Sequence, residues 1–132
     1  MNLKNRLIVL FIIFLTCSFA ATAQIQAICL TSNSTKKPFQ VMLSFDNDDM
    51  KQGTAIYCNN KNVFKLNRSS YTLDDGGRQT AYIYKWTETY KGKKTGIYTF
   101  TLQGAAMYAS FIRSKDKKEF QFTVDQLECD CK

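Results

Sequence analysis

The chain has 132 residues, with 18 Lys and Arg against 11 Asp and Glu, for a formal charge of +7. It contains no histidine, which removes Ser-His-Asp and Cys-His nucleophile pairs and every zinc site that needs an imidazole. A cationic balance of this size keeps a small protein soluble and favours approach to anionic surfaces.

Lys4 and Arg6 precede an apolar run from Leu7 to Leu15, and Ala21-Thr22-Ala23 follows. A basic start, an apolar stretch and a small-x-small site predict a secretory signal (residues 1–23) cleaved after Ala23. The run is shorter than the roughly 20 residues a membrane span needs, so no transmembrane span is expected after cleavage. Thr16 is a poor residue to precede a lipidated Cys17. Residues 24–132 are then a single β-barrel-like domain, secreted or periplasmic. The loss of Lys4 and Arg6 with the signal lowers its charge by two, from +7 to +5.

The elements that follow read as strands. Gln24 to Thr31 is the first, and a polar loop from Ser32 to Lys37 ends at Pro38, the one proline. Phe39, Val41, Leu43 and Phe45 alternate with Gln40, Met42 and Ser44, the period of two of a half-buried strand. Asp46-Asn47-Asp48-Asp49 is an acidic tip. It lacks the glycine and bidentate glutamate of a calcium-binding EF-hand and reads as a solvated turn. Thr54 to Cys58 is a third strand, and Asn59 to Asn62 a turn. Val63 to Asn67 is a fourth, continuing through Tyr71 to Leu73 with a bend at Arg68-Ser69-Ser70.

Asp74-Asp75-Gly76-Gly77 has the composition of a type I′ hairpin turn, whose central residues need positive φ. Gln79 to Tyr90 is the long central strand, with Tyr82, Tyr84, Trp86, Glu88 and Tyr90 on one face. Lys91-Gly92-Lys93-Lys94 turns the chain back into Thr95 to Gln103. Gly104-Ala105-Ala106 breaks the pattern before Met107 to Arg113. Ser114 to Lys118 is a charged tip, and Glu119 to Leu127 is an eighth strand with Phe120, Phe122 and Val124 inward. Eight short strands with hairpin-length connections predict an all-β fold, a small antiparallel eight-stranded up-and-down barrel. A β-sandwich is the alternative.

Four cysteines remain after the signal: Cys29, Cys58, Cys129 and Cys131. An even count in an exported domain predicts two disulfides. A Cys129–Cys131 bond would close a strained, very small ring. Cys29 and Cys58 are therefore each expected to bond one of the terminal pair, with the assignment left open. No metal and no cofactor are expected, because Cys-x-Cys without histidine does not supply a tetrahedral set.

The candidate recognition surface is Tyr82, Tyr84, Trp86 and Tyr90, with Lys91, Lys93 and Lys94 beside them. Tyr and Trp pair an apolar body with a polar tip and recur in pockets and interfaces. Aromatic and basic residues together also suit single-stranded nucleic acid, but export argues against that partner. The same rings could instead fill a small barrel. Glu88 is the only acid inside a long strand on this aromatic face, and pairing with a Lys or Arg at the rim is expected for it.

These features predict a non-catalytic binding module for a small ligand or an extracellular protein. An inhibitor of an extracellular enzyme such as a cell-wall hydrolase is one subclass. The alternative is a structural or surface-interaction envelope protein with a packed core. A cavity walled by Tyr82, Tyr84 and Trp86 would favour the first, and rings packed on Phe39, Phe120 and Phe122 the second. An enzyme would require a second acid facing Glu88 across a cleft.

Overall fold

The computed structural model describes residues 27–33, 36–125, 129 and 131. The expected signal at 1–23, Cys17 and the first residues of the expected opening strand lie outside these. The described chain forms eight strands: β1 (Ala27–Ser32), β2 (Gln40–Phe45), β3 (Gln52–Tyr57), β4 (Val63–Asp74), β5 (Ala81–Tyr90), β6 (Lys93–Gln103), β7 (Ala106–Arg113) and β8 (Glu119–Asp125). Each pairs with its sequence neighbours, and β1 also pairs antiparallel with β8, closing the barrel. The expected up-and-down barrel is the observed fold. Closure leaves no strand edge unpaired.

The period-two pattern decides what faces inward. Val41, Leu43 and Phe45 of β2, Trp86 of β5, Tyr98 and Phe100 of β6, and Phe120 and Phe122 of β8 are all buried in one core. On β1 the inward set is Ile28, Leu30 and Ser32, with Leu30 wholly buried opposite Val41 and Val124. Cys29 has the opposite parity and is buried where Cys129 bonds it.

The chain beyond β8 is pinned twice. Cys29 bonds Cys129 across 100 residues, and Cys58 bonds Cys131 across 73. Cys129 Sγ also lies 3.6 Å from the Val41 carbonyl oxygen, so Cys129 stands against both β1 and β2. Closing a loop of that length contributes about 4–5 kcal/mol in the chain-entropy model. Such bonds belong to an oxidising compartment.

One expected turn is different. Neither Gly76 nor Gly77 has positive φ, and the link from β4 to β5 runs over six residues, 75–80. Asp74 Oδ1 instead accepts the Gly76 N–H at 2.9 Å, and Thr80 Oγ1 donates to Asp75 Oδ1 at 2.9 Å. The aspartates brace a wider loop, as short acidic side chains can. The tight two-residue hairpin is at Lys91–Gly92, where both φ values are positive (50° and 79°), as a type I′ turn requires. The bend expected in the fourth strand is a register shift between Arg68 and Ser70.

In an up-and-down barrel alternate connections share an end. The links β2–β3, β4–β5 and β6–β7 lie at one end, and β1–β2, β3–β4, β5–β6 and β7–β8 at the other. The first end is plugged. Met50 folds in from the β2–β3 link and is buried, and its carbonyl accepts the Trp86 indole N–H at 2.7 Å. Trp86 is fully buried, its ring 4.7 Å from that of Phe45 and 6.1 Å from that of Phe100.

Candidate ligand-binding site at the open barrel mouth

The other end is open. A cavity of about 540 Å³ enters it, with Phe39, Tyr57, Phe64, Phe111 and Phe120 on its walls and Glu88 inside. Tyr57, Phe64 and Phe120 are the last inward positions of their strands at this end, and Phe39 immediately precedes β2. Phe111 pairs with Tyr98 across β6 and β7, and its ring extends over Gly96, the partner of Arg113, where an added Cβ would lie 2.2 Å from it.

Glu88 sits at the inner end of these walls, 1% exposed. Tyr57 donates its hydroxyl to Oε2 at 2.9 Å, and Thr95 donates to Oε1 at 2.7 Å. The Tyr57 and Tyr98 hydroxyls are 2.7 Å apart, which makes one polar cluster from β3, β5 and β6. Thr95 reaches it through a bulge. Glu88 pairs with Gly96 and Thr89 with Lys94, which leaves Thr95 as the extra residue, and bulges re-aim side chains in this way.

Burial pushes the Glu88 carboxyl above its usual range, against the opposing pull of hydrogen bonds from Thr95, Tyr57 and Tyr98. Burial also raises Tyr57 and Tyr98, and the Glu88 charge adds to it. Among the described residues no buried side-chain nitrogen or oxygen lacks a partner. The expected rim pairing of Glu88 with a Lys or Arg is therefore overturned, since hydroxyls inside the barrel hold it. Nor does a second acid line the cavity among the described residues.

The rim is cationic. Lys93, Lys94, Arg113 and Lys115 line it with Asn59 and Asn60. Arg113 forms a two-point ion pair with Asp116, at 3.0 and 2.6 Å, which holds the Asp116 carboxyl well below its usual range. The connections at this end add to the charge: Lys36 and Lys37, Lys61, Lys91, then Lys115, Lys117 and Lys118, against the single acid Asp116. Those at the plugged end carry Asp46, Asp48, Asp49 and Asp75 against Lys51 and Arg78. The barrel is thus electrically polar along its axis.

The residues singled out in the sequence divide between these places. Lys93 and Lys94 line the cavity. Tyr90 stands behind its wall, its ring 4.6 Å from Phe64, and Lys91 Nζ lies 5.3 Å from the Tyr90 ring centroid. Trp86 is not on the cavity; it belongs to the plugged half of the core. Tyr84 stacks between Trp86 and Tyr71 at 5.7 and 4.8 Å, and Tyr82 is 40% exposed beyond them. Neither arrangement expected for these rings is the observed one: the cavity is walled by other residues, and Trp86 and Tyr84 pack on Phe45, Phe100 and Tyr71 rather than on Phe39, Phe120 and Phe122. Sequence reasoning missed Phe39, Tyr57, Phe64, Phe111 and Phe120 as site residues. Their shared signal is that each stands at the strand end nearest the lysine-rich turns.

Cys58, Cys129 and Cys131 bring their sulfurs within 4.8 Å of one another. All three are in disulfides and have no thiolate to offer a metal. Comparisons with protein families, curated proteins and solved structures find no match to this chain.

Proposed function

We propose that the protein is a non-catalytic binding module, exported to a periplasmic or extracellular space, that holds a small ligand in the mouth of its barrel. The observation that carries this reading is the open 540 Å³ cavity with ring-lined walls. Its volume lies within the roughly 300–1,000 Å³ of small-ligand pockets, and such pockets favour barrel mouths. An eight-stranded barrel is just wide enough to hold one small ligand, and here the plug occupies only one end.

A fluorescent apolar reporter such as anilinonaphthalene sulfonate tests the reading in the folded, oxidised protein. Saturable one-to-one binding that is weakened by Phe64→Asp supports it. Absence of saturable binding in a protein whose circular dichroism shows the folded barrel would overturn it.

A second reading, contact with a partner protein, is favoured by one observation. Tyr71, Leu73 and Tyr82 are 43%, 50% and 40% exposed, and Leu73 pairs directly with Tyr82 across β4 and β5. Exposed apolar side chains grouped in this way mark interaction surfaces.

A further inference from the structure

We infer that the ligand of the barrel mouth is an anionic amphiphile, a monomeric acid with an apolar chain. The chain lies between Phe39, Phe64, Phe111 and Phe120, and the acid head stays at Lys93, Lys94 and Lys115. This inference rests on the mouth being a ligand site and adds the chemical class and orientation of what enters it.

Three observations set the class. The walls are predominantly apolar rings, with the lysines, Arg113 and the asparagines at the rim, which suits a chain rather than a sugar or nucleotide. The one buried charge-bearing group among the described residues, Glu88, already has its oxygens engaged by Tyr57 and Thr95 and asks nothing of a ligand. An acid head pushed inward would meet that carboxyl in a water-poor space, where like charges repel strongly. The head therefore stays outside. At the rim, Lys93, Lys94 and Lys115 are in no ion pair among the described residues, whereas Arg113 is held by Asp116. The lysine-bearing connections behind them make the open end the positive pole of the barrel, which draws anions toward the mouth and repels cations.

The test compares decanoate, 1-decanol and decylammonium by calorimetry on the oxidised protein, below micelle-forming concentrations. The expected order is decanoate first, by about tenfold over decanol, with decylammonium weakest. The decanoate advantage should shrink as salt shortens the screening length. It should also collapse to the decanol value in the K93Q/K94Q/K115Q variant.

Equal binding of all three would leave the mouth a ligand site and overturn the anionic class. Tightest binding of decylammonium, lost in Glu88→Gln, would do the same and assign the ligand to a cation. No binding of any of them would overturn both readings. The same head chemistry is offered by an anionic membrane. Protein that sediments with phosphatidylglycerol vesicles and is not released by decanoate would assign the lysines to a lipid surface and overturn the inference.

Discussion

At one end of the barrel Trp86 is sealed beneath Met50. At the other Glu88, two residues further along the same strand, looks into a 540 Å³ cavity. Both side chains face inward, and both are almost fully buried. The difference lies in what the connections supply. The β2–β3 link sends a methionine into the core and a carbonyl to the indole. The links at the open end are lysine-rich, and among their described residues Phe39 stands on the cavity wall without closing the mouth. The plugged end is packed shut, and the open end is the one available to the proposed ligand.

This division can be broken most severely at its shared frame. Replacing Cys29 and Cys129 by serine removes a cross-link spanning 100 residues. It is expected to cost about 4–5 kcal/mol in the chain-entropy model, read as a lowered midpoint in urea. At the plugged end, Trp86→Ala should cost about 3–5 kcal/mol, because a cavity opens and the Met50 carbonyl loses its donor. Decanoate affinity of the fraction that still folds should be unchanged. A large loss of affinity there would show that the two ends are not independent.

Gly96→Ala sharpens the comparison from the other side. Its Cβ would lie 2.6 Å from the Ile112 carbonyl oxygen as well as against the Phe111 ring, so the ring must move into the mouth. A loss of about 1–3 kcal/mol is expected from overpacking, together with weaker ligand binding. Unaltered binding would mean that Phe111 does not bound the ligand space.

Glu88→Gln tests the inside of the mouth by pH. Burial holds the Glu88 carboxyl above its unfolded value near 4.5, so the folded state binds this proton more tightly than the unfolded chain does. Stability from this group is present below the unfolded pKa and is lost as pH rises through the folded one. The variant should therefore lack that downward slope above about pH 4.5, while its stability at acid pH changes by about 1 kcal/mol or less. An identical slope in the variant would assign the pH dependence elsewhere. The smallest effect is at the rim: Asp116→Asn releases Arg113 toward an incoming anion and should tighten decanoate binding roughly twofold.

Most of the barrel was legible in one dimension because strands advertise themselves locally. The alternation of Phe39, Val41, Leu43 and Phe45 decides which face of that segment is buried, whatever it packs against. Lys91-Gly92 likewise announces its own turn through the φ values it can adopt. Asp74 to Gly77 misled because a side-chain bond from Asp74 to the backbone competes with the hairpin turn that the same residues favour. The alternation of Tyr82, Tyr84, Trp86, Glu88 and Tyr90 placed them on one face correctly. Nothing along β5 says that Trp86 would be covered by Met50 and Glu88 left beside open space. Those fates depend on residues 36 and 31 positions away in the chain.

The sequence by itself determined the class, the strand count, the inward faces and the need for two disulfides, since each follows from periodicity, turn chemistry or cysteine number. Only the tertiary structure decided which disulfide partners meet, which barrel end is plugged, and that the lysine-rich turns ring the open one. These depend on how alternate connections gather at one end when β1 closes on β8, and that long-range pairing leaves no trace in any local stretch of the chain.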